Sequence, residues 1–284
     1  MTEPGTAAAF ARARSEGRAA LVGYLPAGFP DVPGAVDAMK VMVEGGCDVI
    51  EVGLPYSDPV LDGPTIQAAA QQALDGGVRT ADVLRTVEAV AATGIPTVVM
   101  TYWNPVEHYG GGTGGRSGVE RFAADLASAG GAGLITPDLT PDTDDDAAGW
   151  IPAADAHGLD KIFLVAPSST DARLELTARA CRGFVYATAV MGVTGARSTT
   201  SSLAGPLVER TRAAVLATGV DLPVGVGLGV SNGDQAAEVA RYADGVIVGS
   251  AFVRTLLDAG TDRAAGLAAL RSLTEDLAKG VRRA

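Results

Sequence analysis

Two acidic residues in the stretch DVIEVGLPYSDPVLDGPTIQ (48–67) stand where chemistry is possible. Glu51 lies inside an apolar run that reads as a buried strand, and Asp62 follows on a proline-punctuated loop that also carries Asp58. An unpaired charge in a protein interior is costly, so a strand glutamate is paired, neutralised or in use. The plainer reading is an internal salt bridge. The functional reading is a carboxyl whose pKa is pushed upward by an apolar mouth, able to carry a proton both ways near neutral pH. Perturbed acids concentrate at active sites, which favours the functional reading.

Near the other end of the chain, Gly227 and Gly229 precede Ser231, and Gly249 and Ser250 precede the run AFVRTL. Such turns leading into helix N-termini present unpaired N–H groups and a positive dipole end, which suits an anion such as phosphate. Tight turns alone would also account for the glycines. Between them lies MGVTGARS (191–198), which reads equally as a mobile lid and as an ordinary loop.

Other chemistries lack their residues. The histidines are His108 and His157, neither with a ligand partner at helical spacing. A Schiff base needs a lysine, and of Lys40, Lys161 and Lys279 only Lys161 touches a strand, at its start. No G-x-S-x-G occurs, and Cys47 reads as buried packing. Carboxylate acid–base catalysis remains.

The elements that must position these residues alternate along the chain. Eight near-continuously apolar segments read as strands covered on both faces: 20–27, 48–53, 96–103, 133–139, 161–167, 184–190, 223–230 and 244–251. Amphipathic stretches lie between them, with Asp31, Thr80, Thr170 and Ser231 as candidate N-caps. Eight strand–helix units in this length suit an α/β fold of the (β/α)₈ TIM-barrel type, a single domain over 1–284 with a short N-terminal helix. The competing doubly wound sheet would show a glycine-rich turn after its first strand, where this chain has PAGFPD. YGGGTGGRSG (109–118) reads as a flexible linker, and PDTDDDAA (141–148) as a solvated helix start.

Composition narrows the partners. With 33 acidic and 22 basic residues the formal charge is −11, which disfavours nucleic acid and anionic membranes. No apolar run approaches the roughly 18 residues of a membrane span, and the start MTEPGTAAAFARARSEGR lacks the apolar core of a secretory signal. Cys47 and Cys181 form no disulfide framework, so a cytoplasmic location is expected.

Taken in order, IEVGLPYSDPVLDGPTIQ, MGVTGARS, GVGLGVSN and VIVGSAFV resemble the tryptophan synthase alpha chain family over nearly the whole sequence. The first motif is highly specific; the glycine loops are shared more loosely with many phosphate-binding barrels. The resemblance implies a TIM-barrel lyase that splits indole-3-glycerol phosphate into indole and glyceraldehyde 3-phosphate. It also implies a partner, the beta chain, which carries pyridoxal phosphate, in an α2β2 heterotetramer, with no cofactor in this chain itself. By the same resemblance Glu51 is the catalytic acid–base and Asp62 the catalytic aspartate. Phosphate binding falls on Gly195, Gly229, Gly249 and Ser250, and the lid threonine on Thr194. Tyr186 matches a tyrosine near the catalytic glutamate, while Tyr24, Met100 and Leu134 fall where apolar contacts to the indole ring are expected. Tyr24 stands where such chains often carry phenylalanine, so its hydroxyl needs a partner. Asp58 reads as a loop organiser. A stand-alone lyase with the same residues and a barrel that has lost its chemistry are the alternatives; intact Glu51 and Asp62 speak against the second.

Overall fold

A computed structural model describes residues 5–110, 118–142, 148–188 and 203–283. Eight parallel strands close on themselves in sequence order: β1 (Ala20–Pro26), β2 (Val49–Gly53), β3 (Thr97–Met100), β4 (Gly133–Thr136), β5 (Asp160–Val165), β6 (Val185–Thr188), β7 (Val224–Gly227) and β8 (Gly245–Val248). Pairing of β1 with both β2 and β8 seals the cylinder. The TIM barrel expected from the alternating pattern is therefore the fold, and most strands are shorter than the apolar runs that signalled them. Surplus residues lie at both ends of these runs, as with Pro96 before β3 and Leu228 after β7.

Helices α1 (Thr6–Ser15), α2 (Val32–Gly45), α3 (Pro64–Asp75), α4 (Thr80–Ala91), α5 (Trp103–Glu107), α6 (Gly118–Ser128), α7 (Trp150–His157), α8 (Asp171–Ala180), α9 (Ala204–Thr218), α10 (Gly233–Ala240), α11 (Ser250–Ala259) and α12 (Arg263–Gly280) accompany the strands. Two of the four candidate caps act as expected: Asp31 accepts from Gly34 N–H at 2.6 Å, and Thr170 from Arg173 N–H at 3.3 Å. The other two are displaced by one residue. Arg79 is the N-cap of α4, its N–H bound by the Asp82 side chain, so Thr80 already belongs to the helix. Asn232 caps α10, while Ser231 donates from N–H and hydroxyl to Gln235 Oε1. Asn and Asp compete well with Ser and Thr for such positions, and spacing alone does not rank them.

The core has two layers, because parallel strands bury both faces. Outside, strand residues such as Ile50, Val52, Val99 and Leu134 pack against the helices. Inside, Val22, Val49, Val98, Ile135, Ile162, Phe184 and Ile247 fill the barrel, and α1 closes its N-terminal end. Phe10 of α1 stacks on Phe184 with centroids 5.0 Å apart, and Thr6 donates through N–H and Oγ1 to Asp160 at 2.8 and 2.7 Å. The short N-terminal helix foreseen from the sequence is thus a plug.

Carboxylates buried at that closed end are all matched. Asp48 takes Arg18 at 2.6 and 2.8 Å and the Leu21 N–H at 2.9 Å; Asp160 takes Thr6 and Arg182. Lys161, at the start of β5, reaches Asp155 at this same end, far from the rim. Residues 111–117 of the glycine-rich stretch and 143–147 of the acidic run lie outside the described residues; Asp142, just before the latter, pairs with Arg173.

Truncating the plug should be costly. Phe10→Ala removes a ring only 2% exposed and is expected to lower unfolding free energy by about 3–5 kcal/mol, read as a fall in the denaturant midpoint.

Candidate active site

Inward-facing residues at the C-terminal ends of the strands form a cleft partly open to solvent. Tyr24, Glu51, Met100, Tyr186 and Ile247 are among its walls, together with Asp62, Ile66, Gly229, Gly249 and Ser250. A largely apolar cleft with a few converging polar groups is the usual form of a small-molecule site.

Strand register sets the neighbours. Tyr24 of β1 pairs with Glu51 of β2, so both point inward at one level. The Tyr24 ring then leans toward the rim over Gly53, where any Cβ would overlap the phenol. Tyr186 of β6 does the same over Gly227 of β7. Two glycines two residues from a barrel-facing position therefore make room for two phenols that flank Glu51. Burial first, and then the nearby carboxylates, holds both phenols well above their ordinary range, so they stay protonated.

Glu51 is 1% exposed, and its Oε1 has no hydrogen-bond partner among the described residues. Nothing there offsets the loss of water, and burial pushes its pKa up to about 8. Asp48 and Asp160, by contrast, have hydrogen-bond partners built in. A carboxyl with that pKa is mostly neutral at pH 7 and can donate a proton.

Asp62 lies on the loop between β2 and α3 and is only partly buried. Burial raises its pKa as well, but a hydrogen bond from the Tyr102 hydroxyl works in the opposite direction. The same loop is tied down locally: Ser57 Oγ donates to Asp58 at 2.5 Å, and Gln67 Nε2 to the Asp62 carbonyl at 2.9 Å. Asp58 is exposed and organises the loop.

Gly249 is the N-cap of α11 and Ser250 its first residue, while Gly229 holds φ +82°, a backbone conformation that favours glycine. An added Cβ at Gly249 would stand 3.3 Å from the Tyr24 ring, so a side chain there would crowd the wall of the cleft. The helix start directs N–H groups into the space, an arrangement suited to an anion.

Most residues singled out in the sequence thus share one cleft: Glu51, Asp62, Tyr24, Met100, Tyr186, Gly229, Gly249 and Ser250. Leu134 is a correction. Its side chain belongs to the outer layer, buried among residues that face the helices, and Ile135 is the inward residue of β4. Strand side chains alternate, so an error of one position puts a residue on the opposite face. Thr194 and Gly195 lie outside the described residues. Residues that the sequence did not single out also line the cleft, notably Ile66, Thr188, Leu228 and Ile247. For Ile247 the alternation of β8 carried the signal; for Ile66, on a helix, nothing did. Tyr102 escaped notice entirely, since its partners Leu61 and Asp62 come from a distant segment.

Comparison with known proteins agrees with this geometry. Residues 10–282 match the family model described as "Tryptophan synthase alpha chain". Curated relatives of that name include one from Salinispora arenicola, 63% identical over 274 residues covering 96% of each chain, and one from Acidothermus cellulolyticus, 61% identical over 275 residues covering 97% and 96%. Among solved structures, a chain of Mycobacterium tuberculosis tryptophan synthase superposes with a TM-score of 0.86 at 55% identity, with 98% of each chain covered. Another from the same organism, in an aminoacrylate-bound form, gives 0.84 at 51% identity, covering 98% of this chain and all of that one. A tryptophan synthase subunit alpha from Legionella pneumophila gives 0.80 at 30% identity with both chains fully covered.

The raised pKa of Glu51 makes a stability prediction. Between the ordinary carboxyl value of 4.5 and about 8 the unfolded chain has lost a proton that the folded chain keeps. Stability from this group is therefore full below 4.5, declines as pH rises through that window, and levels off above it. Glu51→Gln, which cannot ionise, should match the parent near pH 4.5 and be more stable at about pH 9 by a few kcal/mol at most, at ~1.4 kcal/mol per pKa unit. Urea unfolding at the two pH values checks this.

Proposed function

The chain belongs to the tryptophan synthase alpha chain family, and from that premise we propose that Glu51 and Asp62 carry its reaction. The activity is that of a carbon–carbon lyase: cleavage of indole-3-glycerol phosphate to indole and glyceraldehyde 3-phosphate, as the alpha subunit of tryptophan synthase in the last steps of L-tryptophan biosynthesis. The observation that supports the residue assignment is a single one: a fully buried carboxyl without a hydrogen-bond partner on Oε1 among the described residues, facing the same cleft as a second carboxyl.

To cleave the bond, C3 of the indole must accept a proton, which places positive charge on the ring nitrogen. Glu51, neutral at pH 7, gives that proton. Asp62 accepts a hydrogen bond from the ring N–H as an anion and stabilises the developing charge. The Glu51 carboxylate so formed takes the proton of the hydroxyl on the adjacent side-chain carbon. As the carbonyl forms there, the carbon–carbon bond breaks and its electron pair returns to the ring, which regains aromaticity as indole. Protons balance, and Glu51 ends as it began.

Tyr24, Met100 and Tyr186, with Ile66 and Ile247 of the same cleft, hold the ring against apolar surface. Backbone N–H groups at Gly249 and Ser250, assisted by Gly229, grip the phosphate. Thr194 and Gly195 complete this reading as lid and phosphate contacts.

The working assembly is an α2β2 heterotetramer in the cytoplasm, with pyridoxal phosphate on the beta chain and this chain forming a single domain over 1–284. Support comes from the likeness to chains of M. tuberculosis tryptophan synthase. None of the three lysines, Lys40, Lys161 and Lys279, stands at the barrel mouth. Val60, 72% exposed on the Asp62 loop, offers an apolar contact for the partner. Among the described residues, no helix is long and apolar enough to cross a membrane.

Substitution at each position tests its role. Glu51→Gln is expected to lower kcat by roughly 10²–10⁴-fold with phosphate-ligand binding retained, and Asp62→Asn by roughly 10²–10³-fold; near-parental turnover in either removes that residue from the mechanism. In the parent, kcat/KM should fall above about pH 8 as Glu51 loses its proton. Gly249→Val should weaken glycerol 3-phosphate binding at least about tenfold, a loss of ~1.4 kcal/mol, by calorimetric titration; unchanged affinity moves the phosphate elsewhere. Indole release assayed with and without added beta chain separates a subunit activated by its partner from a self-sufficient lyase.

A further inference from the structure

We propose that Tyr102 is a positioning residue for Asp62: its hydroxyl anchors the main chain of the β2–α3 loop beside Asp62 and so sets where that carboxylate stands as an acceptor for the substrate's ring N–H. The inference rests on the assignment of Asp62 made above.

A phenol hydroxyl has one hydrogen to give and lone pairs to receive. The Leu61 N–H donates to Tyr102 Oη at 2.9 Å and occupies the accepting side. The next residue along the loop is Asp62, whose carboxyl the Tyr102 hydroxyl draws toward the ionised form. One oxygen thus holds the main chain of the loop at the residue next to Asp62.

Tyr102 is itself fixed. It is 6% exposed and is the N-cap of α5. The following N–H, that of Trp103, donates to both Asp138 oxygens at 2.9 and 3.1 Å, and Thr101 Oγ1 donates to the Tyr102 carbonyl at 3.1 Å. Thr101 N–H continues the β3–β4 pairing through the Ile135 carbonyl at 3.1 Å. The ring packs on Tyr56 with centroids 5.3 Å apart. The loop carrying Asp62 is therefore referred to the rigid end of β3.

Orientation and charge are supplied by the same contact. Burial disfavours the Asp62 anion, and the Tyr102 hydrogen bond favours it. Burial also raises the Tyr102 phenol to about 12, so it remains a donor throughout the neutral range. The other titratable groups lining the cleft with Asp62 are Tyr24 on β1, Glu51 on β2 and Tyr186 on β6. Arg254 of α11, the neighbouring cation, is engaged with Thr65 Oγ1 at 2.6 Å, and Asp58 with Ser57.

The test uses the alpha chain assembled with its beta chain, measuring indole-3-glycerol phosphate cleavage against pH for Tyr102→Phe, Asp62→Asn and the double variant, with thermal melting as the check on folding. Tyr102→Phe is expected to lower kcat about tenfold, corresponding to ~1.4 kcal/mol, with KM within about threefold. The acid limb of kcat/KM should move to higher pH, because the Asp62 anion has lost its donor. Adding Tyr102→Phe to Asp62→Asn should cost nothing further, since both act through one carboxylate. 3-Fluorotyrosine incorporated at position 102, a stronger donor that keeps the ring, should move the acid limb the other way. Parental kcat and an unmoved limb in Tyr102→Phe, beside an impaired Asp62→Asn, would overturn this inference alone. Near-parental turnover in Asp62→Asn would overturn the Asp62 assignment and this inference with it.

Discussion

Everything at the mouth of this barrel depends on one carboxyl kept dry. Glu51 occupies an inward position of β2 where water is excluded and its Oε1 has no partner among the described residues, and the resulting cost is what makes the group a proton donor near neutral pH. The same chain shows that it is able to satisfy buried carboxylates elsewhere. At the closed end Asp48 is held by Arg18 and by main-chain N–H, and Asp160 by Thr6 and Arg182. Matched carboxylates close the barrel, and the unmatched one opens onto the cleft. Stability is concentrated at one end and reactivity at the other, as expected when chemistry resides in the loops at the C-terminal face.

Keeping Glu51 dry is a packing problem that extends across several strands. Val22 and Val49 lie beneath it on the same inner face, with Phe184 and the Phe10 plug below. Beside and across from it stand Tyr24 and Tyr186, each leaning over a glycine of the adjacent strand. A side chain at Gly53 or Gly227 would displace a phenol from the wall of the site. These glycines are the last residues of their strands, and close approach of a neighbouring ring is what requires them. The inner face thus exchanges aliphatic filling for aromatic walls as it rises toward the rim.

Much of this was legible in the sequence, and the reason is periodicity. Near-continuous apolar runs separated by capped amphipathic stretches identify the eight strands, and with them the rim on which Glu51, Asp62, Gly229, Gly249 and Ser250 meet. What sequence could not resolve was parity and distance. Leu134 and Ile135 are equally apolar, and only the observed register decides which faces inward. Thr80 and Ser231 failed as caps by one residue because Arg79 and Asn232 take the place through contacts that spacing does not rank. Tyr102 reads as one more apolar residue at the end of a strand, and its hydroxyl acquires meaning only when the β2–α3 loop folds over it.

The two carboxyls differ because they are carried by different kinds of element. Glu51, on a strand, is wholly surrounded, and burial alone sets its proton affinity. Asp62, on a loop, keeps partial access to solvent and gains a hydrogen bond, so burial is opposed. Had both been buried alike, both would be neutral at pH 7 and neither would serve as the anion; had both been solvated, neither would hold a proton to give. Placing one inside the barrel wall and the other on its rim pushes their proton affinities apart, which is how paired acids acquire separate roles. The position of the β2–α3 loop is therefore as much a part of the chemistry as the residues on it, because a loop that drifted outward would leave Asp62 ionised but out of reach of the cleft that Glu51 faces.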